Sequence, residues 1–142
     1  MDQHDEICLD PTPQAVGIAR RFVLDRCRWG LRADQRDRLV LVVSEIVTNA
    51  VRHARSLVHL RVVRRHSTVR VEIHDDASAM PRFREPAPDD LDGRGLHLVE
   101  ALADEWGVTP SVPRGKTVWA QVHLMPPRPR TSQEGMSRRA AS

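Results

Sequence analysis

The sequence predicts an α+β domain: a two-layer sandwich with a mostly antiparallel sheet and about three helices on one face. Three observations predict it. Apolar residues recur at helical spacing from Val16 to Cys27 and again from Leu39 to Ala50. Beyond Ala54 the apolar period falls to two, as in strands with one buried face. After one more helical stretch, beginning near Gly93, the period of two returns.

Each element has a local reason. His4 to Leu9 reads as a short edge strand. Thr12 before Pro13 is a helix-start signal, an N-cap with proline in the first turn, and Val16, Ala19, Val23 and Cys27 follow until Gly30 stops the helix near Trp29. Asp34 can cap a second helix, with Asp37 adding favourable charge to its first turn. Leu39, Val42, Val43, Ile46, Val47 and Ala50 then form a full core-facing stripe. Val58, Leu60 and Val62 alternate with polar residues, as do Val69, Val71 and Ile73, and Arg64 to Ser67 turns between them. A loop rich in Pro and Asp runs from Ala77 to Asp92. Leu96 to Trp106 reads as a third helix opened by Gly93-Arg94-Gly95. Gly107–Pro110 and Thr117–Leu124 read as a closing hairpin that turns through Pro113-Arg114-Gly115.

The 142 residues suit one domain, which the pattern places at residues 1–125. Residues 126–142, rich in Pro, Ser and Arg without apolar periodicity, read as a disordered basic tail. Their four arginines against Glu134 leave a surplus of three, equal to the net charge of the whole chain, so the body is neutral. A domain built to grip a phosphate backbone carries the surplus itself, which argues against nucleic-acid binding despite a pI of about 9.6. No apolar run reaches the ~18 residues that suggest a membrane span, and the acidic start does not resemble a signal peptide. Cys8 and Cys27 form no CxxC pattern, which suits two free thiols in a reducing cytoplasm.

Few residues can carry chemistry. Glu45 and Asn49, four apart, stack on one side of the second helix. Either that side meets water, or it lines a polar pocket where the carboxamide oxygen is open to Mg²⁺ and the carboxylate can act as a base. Asp75 continues the in-facing parity of Val69, Val71 and Ile73, so it aims an acceptor at the buried face, suited to an exocyclic amine such as adenine N6. A plain turn Asp is the alternative, and a bulge would substitute Asp76. Gly93-Arg94-Gly95 offers free N–H groups to an anion at a helix start. Gly115-Lys116-Thr117 mimics the end of a P-loop, but Pro110 stands where the first glycine belongs and a strand follows where a helix is required. His53, His59, His66 and His74 lack an HExxH pattern or a cysteine at ligand spacing, so no zinc site is expected.

In order, Ser44-Glu45-Ile46-Val47-Thr48-Asn49-Ala50-Val51-Arg52-His53-Ala54, His74-Asp75-Asp76-Ala77-Ser78, Gly93-Arg94-Gly95-Leu96 and Gly115-Lys116-Thr117 resemble the conserved boxes of the Bergerat ATPase fold. That fold is shared by gyrase, heat-shock chaperones and sensor histidine kinases. Within it the chain is similar to the small bacterial anti-sigma factor serine/threonine kinases. The resemblance implies ATP and Mg²⁺ as cofactors, with Asn49 as the metal ligand and Glu45 as catalytic base on a serine hydroxyl or water. It further implies ATP contacts from Asn49, Arg52, Asp75, Gly93, Arg94, Gly95, Leu96 and Thr117, with Thr117 supporting the Asp75 network. Arg52 and Arg94 read equally well as solvated. A protein partner, a sigma factor or an antagonist of one, is implied, and a homodimer is compatible with it; no membrane is expected. Two departures stand out: Ala77 replaces the usual glycine, and the following loop holds Pro81, Pro86 and Pro88. No phospho-accepting helix pair precedes the domain, against a complete sensor histidine kinase.

Overall fold

The structure, a computed structural model, describes residues 3–27, 30–54, 56–76, 92–111 and 114–124. Trp29, the loop beginning at Ala77, Pro113, the tail 126–142 and the side chains of residues 92–96 lie outside what is described. Eight elements follow in order: β1 (Gln3–Leu9), α1 (Gln14–Arg26), α2 (Ala33–His53), β2 (Val58–Arg64), β3 (Thr68–Asp75), α3 (Asp92–Leu102), β4 (Glu105–Pro110) and β5 (Lys116–His123). The strands make one five-stranded sheet in the order β1-β2-β3-β5-β4, with every neighbouring pair antiparallel. The α+β architecture expected from the sequence is the one observed.

One face of the sheet carries the core. Leu60 and Val62 from β2, Val69, Val71 and Ile73 from β3, and Val118, Ala120 and Val122 from β5 cluster with Ala19 and Val23 of α1, Val99 of α3 and the apolar stripe of α2. Leu39, Val42, Val43, Ile46, Val47 and Ala50 are all buried, so α2 is the central helix. Each fully buried aliphatic side chain there contributes roughly 1.5–3 kcal/mol. The other face is largely polar; Val63 and Trp119 are buried apolar residues on it, and the Arg70 guanidinium covers Trp119 4.1 Å above its ring.

Several boundaries differ from the sequence expectation, among them the end of α1, at Arg26 rather than near Trp29. The N-cap of α1 is Pro13, not Thr12; the Thr12 carbonyl accepts the Ala15 N–H at 3.0 Å. For α2 the N-cap is Arg32, not Asp34. Buried Gln35 decides this: its Oε1 accepts the Arg32 N–H at 2.9 Å while its Nε2 donates to the His123 carbonyl at 3.0 Å. One side chain thus caps α2 and ties it to the end of β5, and Asp34 falls within the first turn. The largest change is at Trp106, expected at the end of α3 but found in β4 opposite Ala120. Asp104 seeds that pairing, its N–H donating to the Gln121 carbonyl at 2.9 Å and its Oδ2 accepting the His123 N–H at 2.7 Å. Non-local sheet bonds therefore override the helical spacing.

Candidate functional site

The two sides of α2 have different neighbours. On one, Ser44 Oγ accepts from Arg20 Nε of α1 at 2.6 Å and donates to the Val40 carbonyl at 2.6 Å. On the other, Arg38 Nη1 donates to the Leu102 carbonyl at the end of α3. Glu45, Asn49 and Arg52 lie seven, eleven and fourteen residues beyond Arg38, which at 3.6 residues per turn keeps all four on one side. Glu45 and Asn49 are half-buried and Arg52 is exposed. Glu45 and Asn49 therefore flank the core rather than enter it.

Asp75 is the in-facing residue at the end of β3. It follows Val69, Val71 and Ile73 and is 1% exposed, and no bulge intervenes to substitute Asp76. Its partner is Lys116, the first residue of β5 and also 1% exposed, whose Nζ donates to Asp75 Oδ1 at 3.0 Å. The antiparallel register sets the two directly opposite each other. Burying two charges is costly, and the attraction offsets that cost only when they stay in contact.

The same register moves Thr117. It lies opposite His74, on the other face of the sheet from Asp75, and His74 Nδ1 is 3.2 Å from Thr117 Oγ1. Ser111 Oγ lies 3.4 Å from the same nitrogen. The expected support of Asp75 by Thr117 is therefore corrected: alternation puts Lys116, not Thr117, beside the carboxylate. Lys116 was legible from its shared parity with Val118, Ala120 and Val122; its likeness to a P-loop lysine obscured this.

The backbone around the pair is tightly fitted. Gly115 has φ +96, and a Cβ there would stand 2.5 Å from the Asp75 carbonyl oxygen. Only glycine allows both the conformation and the approach. Next to the pair, Ser56 Oγ donates to Asp76 Oδ2 at 2.6 Å, and this bond, the main cause, holds the Asp76 carboxyl below its ordinary value. Ser56 tethers the start of β2 to the end of β3, an anchor the sequence reading missed.

Gly93 and Gly95 both fall inside the first turn of α3 rather than ahead of it. Leu96 continues the same helix; the side chains of Arg94 and Leu96 are outside the described residues. Among the histidines, His59 meets Cys8, with Nδ1 3.2 Å from Sγ, because β1 and β2 pair these residues. A cysteine does accompany a histidine here, which the spacing did not suggest. Among the described residues no three His, Cys, Asp or Glu side chains group as a metal site.

A family model of the histidine kinase-like ATPase domain matches residues 9–122. The chain belongs to this family. The match runs from the end of β1 through β5 and takes in α2, Asp75 and Lys116. No curated protein matches the chain. Membership implies ATP as the ligand, and the residues can be tested against it. Asn49 offers one half-buried carboxamide oxygen, enough for Mg²⁺, which takes one or two protein ligands beside phosphates and water. Asp75 offers a buried acceptor of the kind an exocyclic amine needs, but with an ammonium already against it. The metal side of the site fits, and the base side fits only with Lys116 taken into account. Among the described residues no helix of this ATPase domain is long and apolar enough to cross a membrane.

Proposed function

We propose that the chain is an ATP-dependent regulatory protein, a serine/threonine kinase of the anti-sigma factor type that phosphorylates a protein antagonist. The observation that carries the reading is the placement of Glu45 and Asn49 on the α3 side of α2, half in and half out of the core. A helix of 11 residues is roughly 16 Å long. The contact of Arg38 with Leu102 supports antiparallel packing of α3 on α2, which brings the glycine-bearing first turn of α3 level with Asn49. N–H groups at that helix start favour phosphate oxygens. Gly93, Gly95, Arg94, Leu96 and Arg52 are the residues nearest to such a ligand in this reading.

In that arrangement Asn49 would hold Mg²⁺, which would offset the negative charge of the phosphates. Glu45 takes the proton of an incoming serine hydroxyl, whose oxygen bonds the γ-phosphorus as the bond to the β-phosphate bridge breaks. A pure nucleotide clamp has no need for a carboxylate beside the metal ligand. The added phosphate, at −1.5 to −2 charge, changes which partner the antagonist holds, a sigma factor being the other candidate.

One observation favours a second reading, a non-catalytic module in which ATP only shapes a partner surface: Asp75 is engaged by Lys116. Incubation with γ-labelled ATP and candidate antagonists separates the two. Transfer of label that Glu45→Ala abolishes supports the kinase. Retention of partner binding without transfer in the parent chain leaves the module.

A further inference from the structure

The chain leaves β5 at a fixed point on α2. The Leu124 N–H donates to the Ser67 carbonyl at 2.8 Å, and Gln35 Nε2 reaches the Leu124 carbonyl at 3.4 Å. Gln35 lies ten residues before Glu45 on the same helix, roughly 15 Å along the axis and about 80° around it. Glu45 is nearer to this exit than Asn49 is, by one turn. Between them Asp37 is exposed and Leu41 is 46% exposed, so among the described residues no element roofs this side of α2.

The sequence after Leu124 is Met125-Pro126-Pro127-Arg128-Pro129-Arg130-Thr131-Ser132. Its first hydroxyls are therefore seven and eight residues past the anchored point. An extended proline-rich run spans roughly 3.1 Å per residue, so Thr131 and Ser132 have a reach of roughly 22 to 25 Å. The path from Leu124 around α2 to Glu45 is roughly 20 Å. A hydroxyl tethered at that length meets the site at an effective concentration in the millimolar range, above that of a free protein substrate.

We propose that Thr131 and Ser132 are a phospho-acceptor site, phosphorylated within the same molecule; the inference rests on the kinase reading above. The hydroxyl oxygen bonds the γ-phosphorus of ATP and the bond to the β-phosphate bridge breaks. ADP leaves with that electron pair, and the hydroxyl proton passes to Glu45. One phosphate, at about −1.5 to −2, removes half or more of the surplus of three positive charges in residues 126–142. The reaction thereby reports nucleotide turnover in the charge of the tail.

The test is incubation of the full chain with γ-labelled Mg-ATP over a tenfold dilution series, with the labelled residue located by mass spectrometry. Three proteins are compared: the parent, Glu45→Gln, and the double variant Thr131→Ala with Ser132→Ala. Each is also titrated with Mg-ATP and incubated with candidate antagonists. The parent is expected to take label at Thr131 or Ser132, with a first-order rate that dilution leaves unchanged. Glu45→Gln is expected to bind Mg-ATP yet label about a hundredfold more slowly or less, the least that a lost general base costs. The double variant changes nothing in the folded body, so it is expected to bind Mg-ATP as the parent does and to stay unlabelled.

A rate that falls in proportion to dilution overturns the inference, because transfer is then between molecules. Label at Ser137 or Ser142 in place of the first two hydroxyls overturns it as well. Label on an antagonist with none on the chain itself overturns the inference alone and leaves the kinase standing. No label on the chain or on any antagonist overturns the kinase reading and the inference together.

Discussion

Lys116 Nζ stands 3.0 Å from Asp75 Oδ1 because β3 and β5 place these two residues opposite each other with both side chains on the core face. The pair ties the end of β3 to the start of β5 on the buried face. Both partners are about as buried as the valines around them.

Removing one partner leaves an uncompensated buried charge. Lys116→Ala is expected to destabilise the fold by about 3–5 kcal/mol, whereas the apolar pair Asp75→Leu with Lys116→Met costs far less. Urea denaturation of the parent and both variants checks this. Equal losses in the single and double variants would show that the pair contributes packing alone.

Two glycines are expected to respond in opposite directions to alanine. At Gly115, where φ is +96 and a Cβ would meet the Asp75 carbonyl oxygen at 2.5 Å, the change costs about 1–3 kcal/mol from conformation before the clash is counted. At Gly17, in the exposed interior of α1 with nothing within 4 Å of an added Cβ, it stabilises by about 1 kcal/mol. Thermal denaturation of the two variants gives both signs.

Cys27 predicts an alkaline limit. Burial pushes its thiol up from 9.0 to about 11, with Arg64 acting against the rise and Asp5 adding to it. Below pH 9 the thiol is protonated in both the folded and unfolded chain and stability is unaffected. Above pH 9 the unfolded chain gives up the proton first, so this contribution is lost progressively up to about pH 11. The loss is about 2–3 kcal/mol. Chemical denaturation across this window is expected to show the decline in the parent and to lose that component in Cys27→Ala. Exposed Cys8 is expected to react with a maleimide much faster than buried Cys27.

Periodicity carried much of this fold. The stripe from Leu39 to Ala50 and the alternation of β2 and β3 are local patterns, and the structure has them where the sequence puts them. Trp106 was misread because its strand is decided by bonds from Asp104 to Gln121 and His123, partners 17 and 19 residues away. The α2 cap moved for the same kind of reason, since Gln35 answers to the end of β5. At the site, parity placed Asp75 correctly on the buried face. It would have placed Lys116 as well, had the alternation of β5 been extended back by one residue. Which cation meets which carboxylate depends on the register between β3 and β5, and that is not a local property.

The central claim, that the α3 side of α2 holds a Mg-ATP site, is tested most directly by titrating Mg-ATP into the parent chain and Asn49→Ala. Asn49 is half-buried on the surface of a helix whose core stripe is untouched, so the variant is expected to fold. The account predicts saturable binding by the parent and a loss of about tenfold or more in Asn49→Ala. Equal affinity in the two proteins would contradict it.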